Sequence, residues 1–113
     1  MKDLKYLTST EKSALELLIS ELRNKLDDQL IRIQLFGSKI RGDFRENSDI
    51  DLLIVVRERT QAILDIIAEV SLDVDLEYDP KISLIIFSID EYNQNEAWET
   101  PFIKNVEREG IPL

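Results

Sequence analysis

The chain has 113 residues, 43% of them apolar, with 23 acidic and 14 basic side chains and a formal net charge of −9. That length and apolar content suit a single domain with one core, and they exclude a disordered acidic tail. The chain has no cysteine and no histidine. This excludes disulfides, thiol catalysis, Cys-type zinc sites and the usual general base, so any metal site must be built from oxygen, which favours Mg²⁺, Mn²⁺ or Ca²⁺.

Thr8-Ser9-Thr10-Glu11 reads as a capping box, with Thr8 as the N-cap. Behind it Leu15, Leu18, Ile19, Leu22 and Leu26 recur at helical spacing and predict a helix over about residues 9–27. Residues 31–36 alternate, with Ile31, Ile33 and Leu35 set against Arg32 and Gln34. They predict a half-buried strand ending at Gly37-Ser38. Residues 39–44 read as a short helical turn and residues 45–48 as a polar turn. Residues 49–56 predict a second strand, and its apolar end, Leu52-Leu53-Ile54-Val55-Val56, suits a strand covered on both faces.

Ile63, Ile66, Ile67, Val70 and Val74 predict a second helix over about residues 60–78, broken at Asp79-Pro80. Residues 82–87 predict a third strand. Ser88-Ile89-Asp90-Glu91 is another capping box opening a short helix. Pro101 starts a last helix and Gly110 can stop it. Tyr92 and Trp98 lie in a polar stretch. Packing over the core is the default for both, and a partner surface is the sharper alternative. The expected fold is a small α/β (α+β) sandwich, a three-stranded mixed sheet flanked by helices. The apolar runs at 52–56 and 82–87 fall far short of the ~20 residues a membrane helix needs. The first residues lack the apolar stretch of a secretory signal. The expectation is a cytoplasmic protein with no membrane contact.

Asp49 and Asp51 are two apart on a strand, so their side chains share a face. Two carboxylates held there repel each other, and a hard divalent cation would reward the arrangement. Mg²⁺ typically takes one or two carboxylates together with substrate phosphates. Ile50 and Leu52 then point to the opposite face, against the core. Gly37 lets the backbone approach a ligand closely, and Ser38 with neighbouring N–H groups can bind phosphate. A short connection predicts that the two strands are neighbours, which would set a phosphate cradle beside a metal pair.

Gly37-Ser38, ten intervening residues, and Asp49-Ile50-Asp51 resemble the signature of the DNA polymerase β-like nucleotidyltransferase superfamily. The local form, Gly37-Ser38-Lys39-Ile40-Arg41-Gly42-Asp43 with Ser48-Asp49-Ile50-Asp51-Leu52, is similar to the minimal nucleotidyltransferases of bacteria and archaea. The ending, from Pro101-Phe102-Ile103-Lys104 to Gly110, looks like the tail of small members of that group. The resemblance implies the nucleotidyltransferase fold. It implies that Gly37 and Ser38 bind the nucleotide phosphates and that Asp49 and Asp51 bind Mg²⁺ or Mn²⁺ as the catalytic pair. Arg41 matches a frequent basic position that touches phosphate, with a surface ion pair as the equal alternative. ATP or another NTP is the implied substrate. Such proteins often pair with a HEPN-domain ribonuclease toxin in prokaryotic cytoplasm, as an antitoxin that in some systems adds AMP to a toxin tyrosine.

Active members usually carry a third acid on the next strand. Residues 82–87 contain none, and Ser83 takes the equivalent place. A serine is a poor metal ligand and cannot serve unaided as a base at neutral pH. Glu77 and Asp79 lie just upstream, but a solvated helix end explains them better, and Asp73 and Asp75 are assigned to surface. Two readings therefore stand. One is an adenylylating enzyme acting on a partner protein hydroxyl. The other is a non-catalytic nucleotide-binding antitoxin or regulatory module that neutralises its partner by binding. The acidic surface weighs against a large nucleic-acid substrate, and an open half-site of this size predicts association with a partner or a second copy.

Overall fold

A capping box opens the first helix, α1 (Ser9–Leu26). The Glu11 N–H donates to the Thr8 hydroxyl at 3.1 Å, and the Thr8 N–H donates to Glu11 Oε1 at 2.9 Å. The two bonds satisfy amides that a helix start leaves without partners, an effect typically worth ~1 kcal/mol. The computed structural model of the protein describes residues 7–37 and 49–113. Ser38, Arg41 and the expected turns at 39–44 and 45–48 lie outside the described residues. Leu15, Leu18, Ile19, Leu22 and Leu26 are all buried, as their spacing predicts. The helix stops at Leu26, and a 3-10 turn, Asp27–Gln29, leads into the first strand.

That strand, β1 (Leu30–Phe36), pairs antiparallel with β2 (Ile50–Val56). A helix, α2 (Gln61–Tyr78), then crosses over to β3 (Ile82–Ser88), which pairs parallel with β2. A parallel pair needs such a long connection. Two short helices follow, α3 (Ile89–Ala97) and α4 (Pro101–Glu109), and the chain closes with β4 (Ile111–Pro112). The sheet order is β3-β2-β1-β4. It is therefore a four-stranded mixed sheet rather than the expected three. The added strand is two residues long, and Pro112 pairs with Gln34 and Ile111 with Leu35. A segment that short carries no periodicity to read.

Alternation along β2 builds two cores. Ile50, Leu52, Ile54 and Val56 pack with α1 and α2 on one face. Leu53 and Val55 pack on the other with Tyr92 of α3 and with Ile103 and Val106 of α4. The apolar run of β2 is thus covered on both sides, as expected. Each fully buried leucine or isoleucine contributes about 1.5–3 kcal/mol.

Two positions of β1 differ from their alternation. Ile31 is exposed, because the register slips between Leu30 and Arg32 and turns it out of the core. Gln34, expected to face water, is buried. Its face is covered by the helical layer that brings Gly110 close, where an added Cβ would lie 3.1 Å from Gln34 Nε2. Gly110 caps α4 in an extended conformation, φ −68° and ψ 143°, rather than a left-handed one.

Aromatic contacts lock the second layer. Phe102 of α4 meets Phe36 and Phe87 edge-on, at centroid distances of 5.5 and 5.7 Å. Tyr92 is buried, and its hydroxyl accepts a 2.7 Å hydrogen bond from Arg32. Burial pushes the Tyr92 phenol above its ordinary pKa against the opposing pull of the Arg32 guanidinium, so the ring stays neutral. Trp98 departs from the default, being 68% exposed at the end of α3.

Candidate functional site

β1 ends, and β2 and β3 begin, at one end of the sheet. The antiparallel pairing of β1 with β2 and the parallel pairing of β2 with β3 require this. Gly37, Asp49, Asp51, Lys81 and Ser83 therefore gather at a single edge. Phe36 stands opposite Asp51, and Asp51 stands opposite Ser83, which makes one row across three strands. Asp51 lies on the α3/α4 face with Leu53 and Val55, while Ile50 and Leu52 are fully buried behind it. The strand carrying the carboxylates is anchored from the back by core burial.

The closest relation in the site is between Gly37 and Asp51. Gly37 has φ +92°, a conformation side chains rarely adopt. A Cβ built there would collide with the Asp51 carboxylate, with Cγ only 3.1 Å away. The backbone conformation calls for glycine, and any side chain there would also force the Asp51 carboxylate to shift. Gly37 and the Asp-x-Asp pair, twelve positions apart between Gly37 and Asp49, are thus in van der Waals contact through Asp51. Asp49 is exposed at the strand start, and Asp51 is half-buried.

Ser83 sits in the third position, as its place in the strand predicts, and is half-buried. Glu77, Asp79, Asp73 and Asp75 are all exposed, in keeping with a solvated surface. Sequence reasoning passed over Lys81. The Ile50 N–H donates to the Lys81 carbonyl at 2.7 Å, which sets Lys81 beside Asp49 at the entry to β3. It is exposed and two residues before Ser83, so strand alternation carries it to the site face. The signal was available, since Lys81-Ile82-Ser83 has the same two-residue step as Asp49-Ile50-Asp51.

The donor set fits a hard divalent cation. Asp49 and Asp51 offer carboxylate oxygens from one strand face, and the space at Gly37 is filled by the Asp51 carboxylate itself. Among the described residues no cluster of three or more metal-ligating side chains is present. A cation held here would complete its shell with substrate phosphate oxygens and water, which is how Mg²⁺ is commonly bound. The described helices include none long and apolar enough to cross a membrane.

Two Methanocaldococcus jannaschii proteins, both named "putative protein adenylyltransferase", match the chain. One is 40% identical over 93 residues, covering 78% of this chain and 83% of its own length. The other is 33% identical over 103 residues, covering 91% and 97%. Among solved structures, a nucleotidyltransferase candidate from Sulfolobus solfataricus superposes with TM-score 0.51 at 17% identity, covering 94% of this chain and 86% of that one. A toxin–antitoxin structure with AMP-PNP superposes with TM-score 0.55 at 21% identity, covering 84% and 68%. A mutant of the toxin–antitoxin pair MntA-HpeT gives 0.52 at 21%, covering 87% and 70%. These superpositions carry the fold. The family model for the nucleotidyltransferase domain matches residues 15–112, nearly the whole chain, and the protein belongs to that family.

Proposed function

We propose that the protein transfers AMP from ATP to a hydroxyl of a partner protein, as the antitoxin partner of a HEPN-domain toxin in the prokaryotic cytoplasm. The observation that carries this reading is the packing of Gly37 against the Asp51 carboxylate, with Asp49 at the same edge. The names of the two archaeal relatives and the toxin–antitoxin superpositions support the choice of acceptor and partner. In this reading the Gly37-Ser38 turn receives the nucleotide phosphates, with Arg41 beside them, and Lys81 adds a positive charge next to Asp49. Asp49 and Asp51 hold Mg²⁺ or Mn²⁺. Such a cation offsets phosphate charge and lowers the pKa of an attacking hydroxyl, which suits a chain with no histidine. The acceptor oxygen bonds to the α-phosphorus, the bond to pyrophosphate breaks, and the hydroxyl proton leaves to solvent.

The test is incubation with labelled ATP, Mg²⁺ and the protein encoded by the neighbouring gene. Label should pass to that protein and stay absent when Asp49→Asn replaces the wild type. No transfer, together with full neutralisation by Asp49→Asn, would sink the enzymatic reading.

One observation favours a second reading, a nucleotide-binding antitoxin that neutralises without turnover: a serine, not an acid, stands opposite Asp51. Ser83→Asp separates the two. With a third carboxylate in that row, transfer should rise at least about tenfold, equivalent to about 1.4 kcal/mol. The added charge should also lower the melting temperature in EDTA and restore it in Mg²⁺, because three carboxylates repel unless a cation joins them. A rate at or below that of the wild type would show that the missing acid does not limit turnover.

A further inference from the structure

The outward face of α2 is unlike the rest of the surface. Leu72 and Leu76 lie one turn apart and are 57% and 78% exposed, while Ile67, Val70 and Val74 fill the buried side. The helix carries Asp65, Glu69, Asp73, Asp75 and Glu77 and no lysine or arginine. Asp73, Asp75, Glu77 and the capping Asp79 crowd its final turns, where the partial negative charge of the helix end disfavours them. By contrast, α1 ends with Arg23 and Lys25, which complement its dipole. Apolar side chains left at the pole of an acidic helix end are retained against both hydration and electrostatics. A basic partner would relieve both.

Position gives this face its meaning. The C-terminus of α2 runs through Asp79 and Pro80 to Lys81, whose carbonyl accepts from Ile50 between the two site carboxylates. The leucine-bearing end of α2 is therefore at the same end of the sheet as Asp49 and Asp51. It lies on the opposite face of the sheet from Asp51, so a partner held there reaches the site around that end of the sheet. A second copy of this chain would bring another all-acidic α2 and a net charge of −9. Nucleic acid and anionic lipid are repelled for the same reason.

We propose that the C-terminal half of α2 is the docking surface for the acceptor protein, which meets it with an apolar pocket for Leu72 and Leu76 rimmed by lysine or arginine. This rests on the reading that the chain acts on a partner protein, and it adds where the partner is held and what its surface must be. Apolar anchors would supply affinity, and the acidic rim would speed and orient the encounter.

The experiment uses full-length protein and the neighbouring-gene product, with binding measured by calorimetry at roughly 50 mM and roughly 300 mM salt, below and above the screening typical of cells. Leu72→Ser/Leu76→Ser should weaken binding by at least about tenfold at both salts, as expected of central apolar anchors. Asp73→Lys/Asp75→Lys should weaken it mainly at low salt and flatten its salt dependence. Both variants replace exposed side chains, so both should fold and bind nucleotide like the wild type, and Asp73→Lys/Asp75→Lys should melt no lower than it, since lysine suits a helix C-terminus better than aspartate. If both bind within about twofold of the wild type, the docking surface is elsewhere and the proposal is overturned, while the partner reading stands. If the wild type binds no neighbouring-gene product, the partner reading falls and the proposal with it. If instead the wild type self-associates and Leu72→Ser/Leu76→Ser abolishes this, the face is a contact between copies and the proposal is overturned in that direction.

Discussion

Asp51→Asn should lower AMP transfer by at least about a hundredfold, close to 3 kcal/mol of lost transition-state stabilisation. Asparagine keeps the shape of the side chain but carries no charge. It fits the same place against Gly37 and the same row between Phe36 and Ser83. The substitution removes a charge, and with it one of the two carboxylates proposed to hold a divalent cation. Asp49→Asn should follow in the same direction. Asp49 is exposed at the strand start, whereas Asp51 is half-buried and pinned from behind by Ile50 and Leu52, so Asp51 is the more demanding ligand to replace. The readout is label transfer at saturating ATP over a range of Mg²⁺ concentrations, with a thermal melt in EDTA as the structural control. The melt in EDTA should remain a single cooperative transition, which shows that the variant is folded. Retention of more than about a tenth of the wild-type rate, a barrier change near 1.4 kcal/mol or less, would remove Asp51 from the centre of the chemistry.

Much of this arrangement was legible before any coordinates. The capping boxes at Thr8/Glu11 and Ser88/Glu91 mark helix starts because a hydroxyl and a carboxylate three residues apart satisfy amides the helix leaves open. The two-residue step from Asp49 to Asp51 fixes a shared strand face whatever the rest of the chain does. The same rule puts Ser83 where an acid was expected, and the parallel register sets it opposite Asp51. What could not be read depends on contacts distant in sequence. The two-residue β4 exists because Gln34 and Leu35 offer it an edge. Gln34 is buried by the layer around Gly110, 76 residues away, and Ile31 is turned out by a register slip that no local pattern announces. The site shows the same division. Residue types and spacing identify the carboxylates, but the reason position 37 must be glycine is visible only once Asp51 is folded against it.

That reason can be measured by a double-mutant cycle. Gly37→Ala should destabilise the protein by about 2–4 kcal/mol, combining backbone strain with a steric clash. The strain comes from φ +92° and does not depend on the neighbour. The clash comes from the Asp51 carboxylate, which occupies the place of the new methyl group. Removing that carboxylate in Asp51→Ala should therefore relieve one part and not the other. In the Asp51→Ala background, Gly37→Ala should cost only the strain, about 1–2 kcal/mol. The difference is a coupling energy on the order of 1–2 kcal/mol, within the range for residues in direct contact. Urea denaturation of the four proteins, with unchanged slopes as a check that unfolded states are alike, provides the measurement. Full additivity would mean that Gly37 is required by its backbone alone and that the turn and the carboxylate pair are not mechanically joined. A clear coupling would mean that Gly37 and the Asp51 carboxylate hold each other in place. Nucleotide binding would then be lost in Gly37→Ala even though that variant leaves every charged group of the site intact.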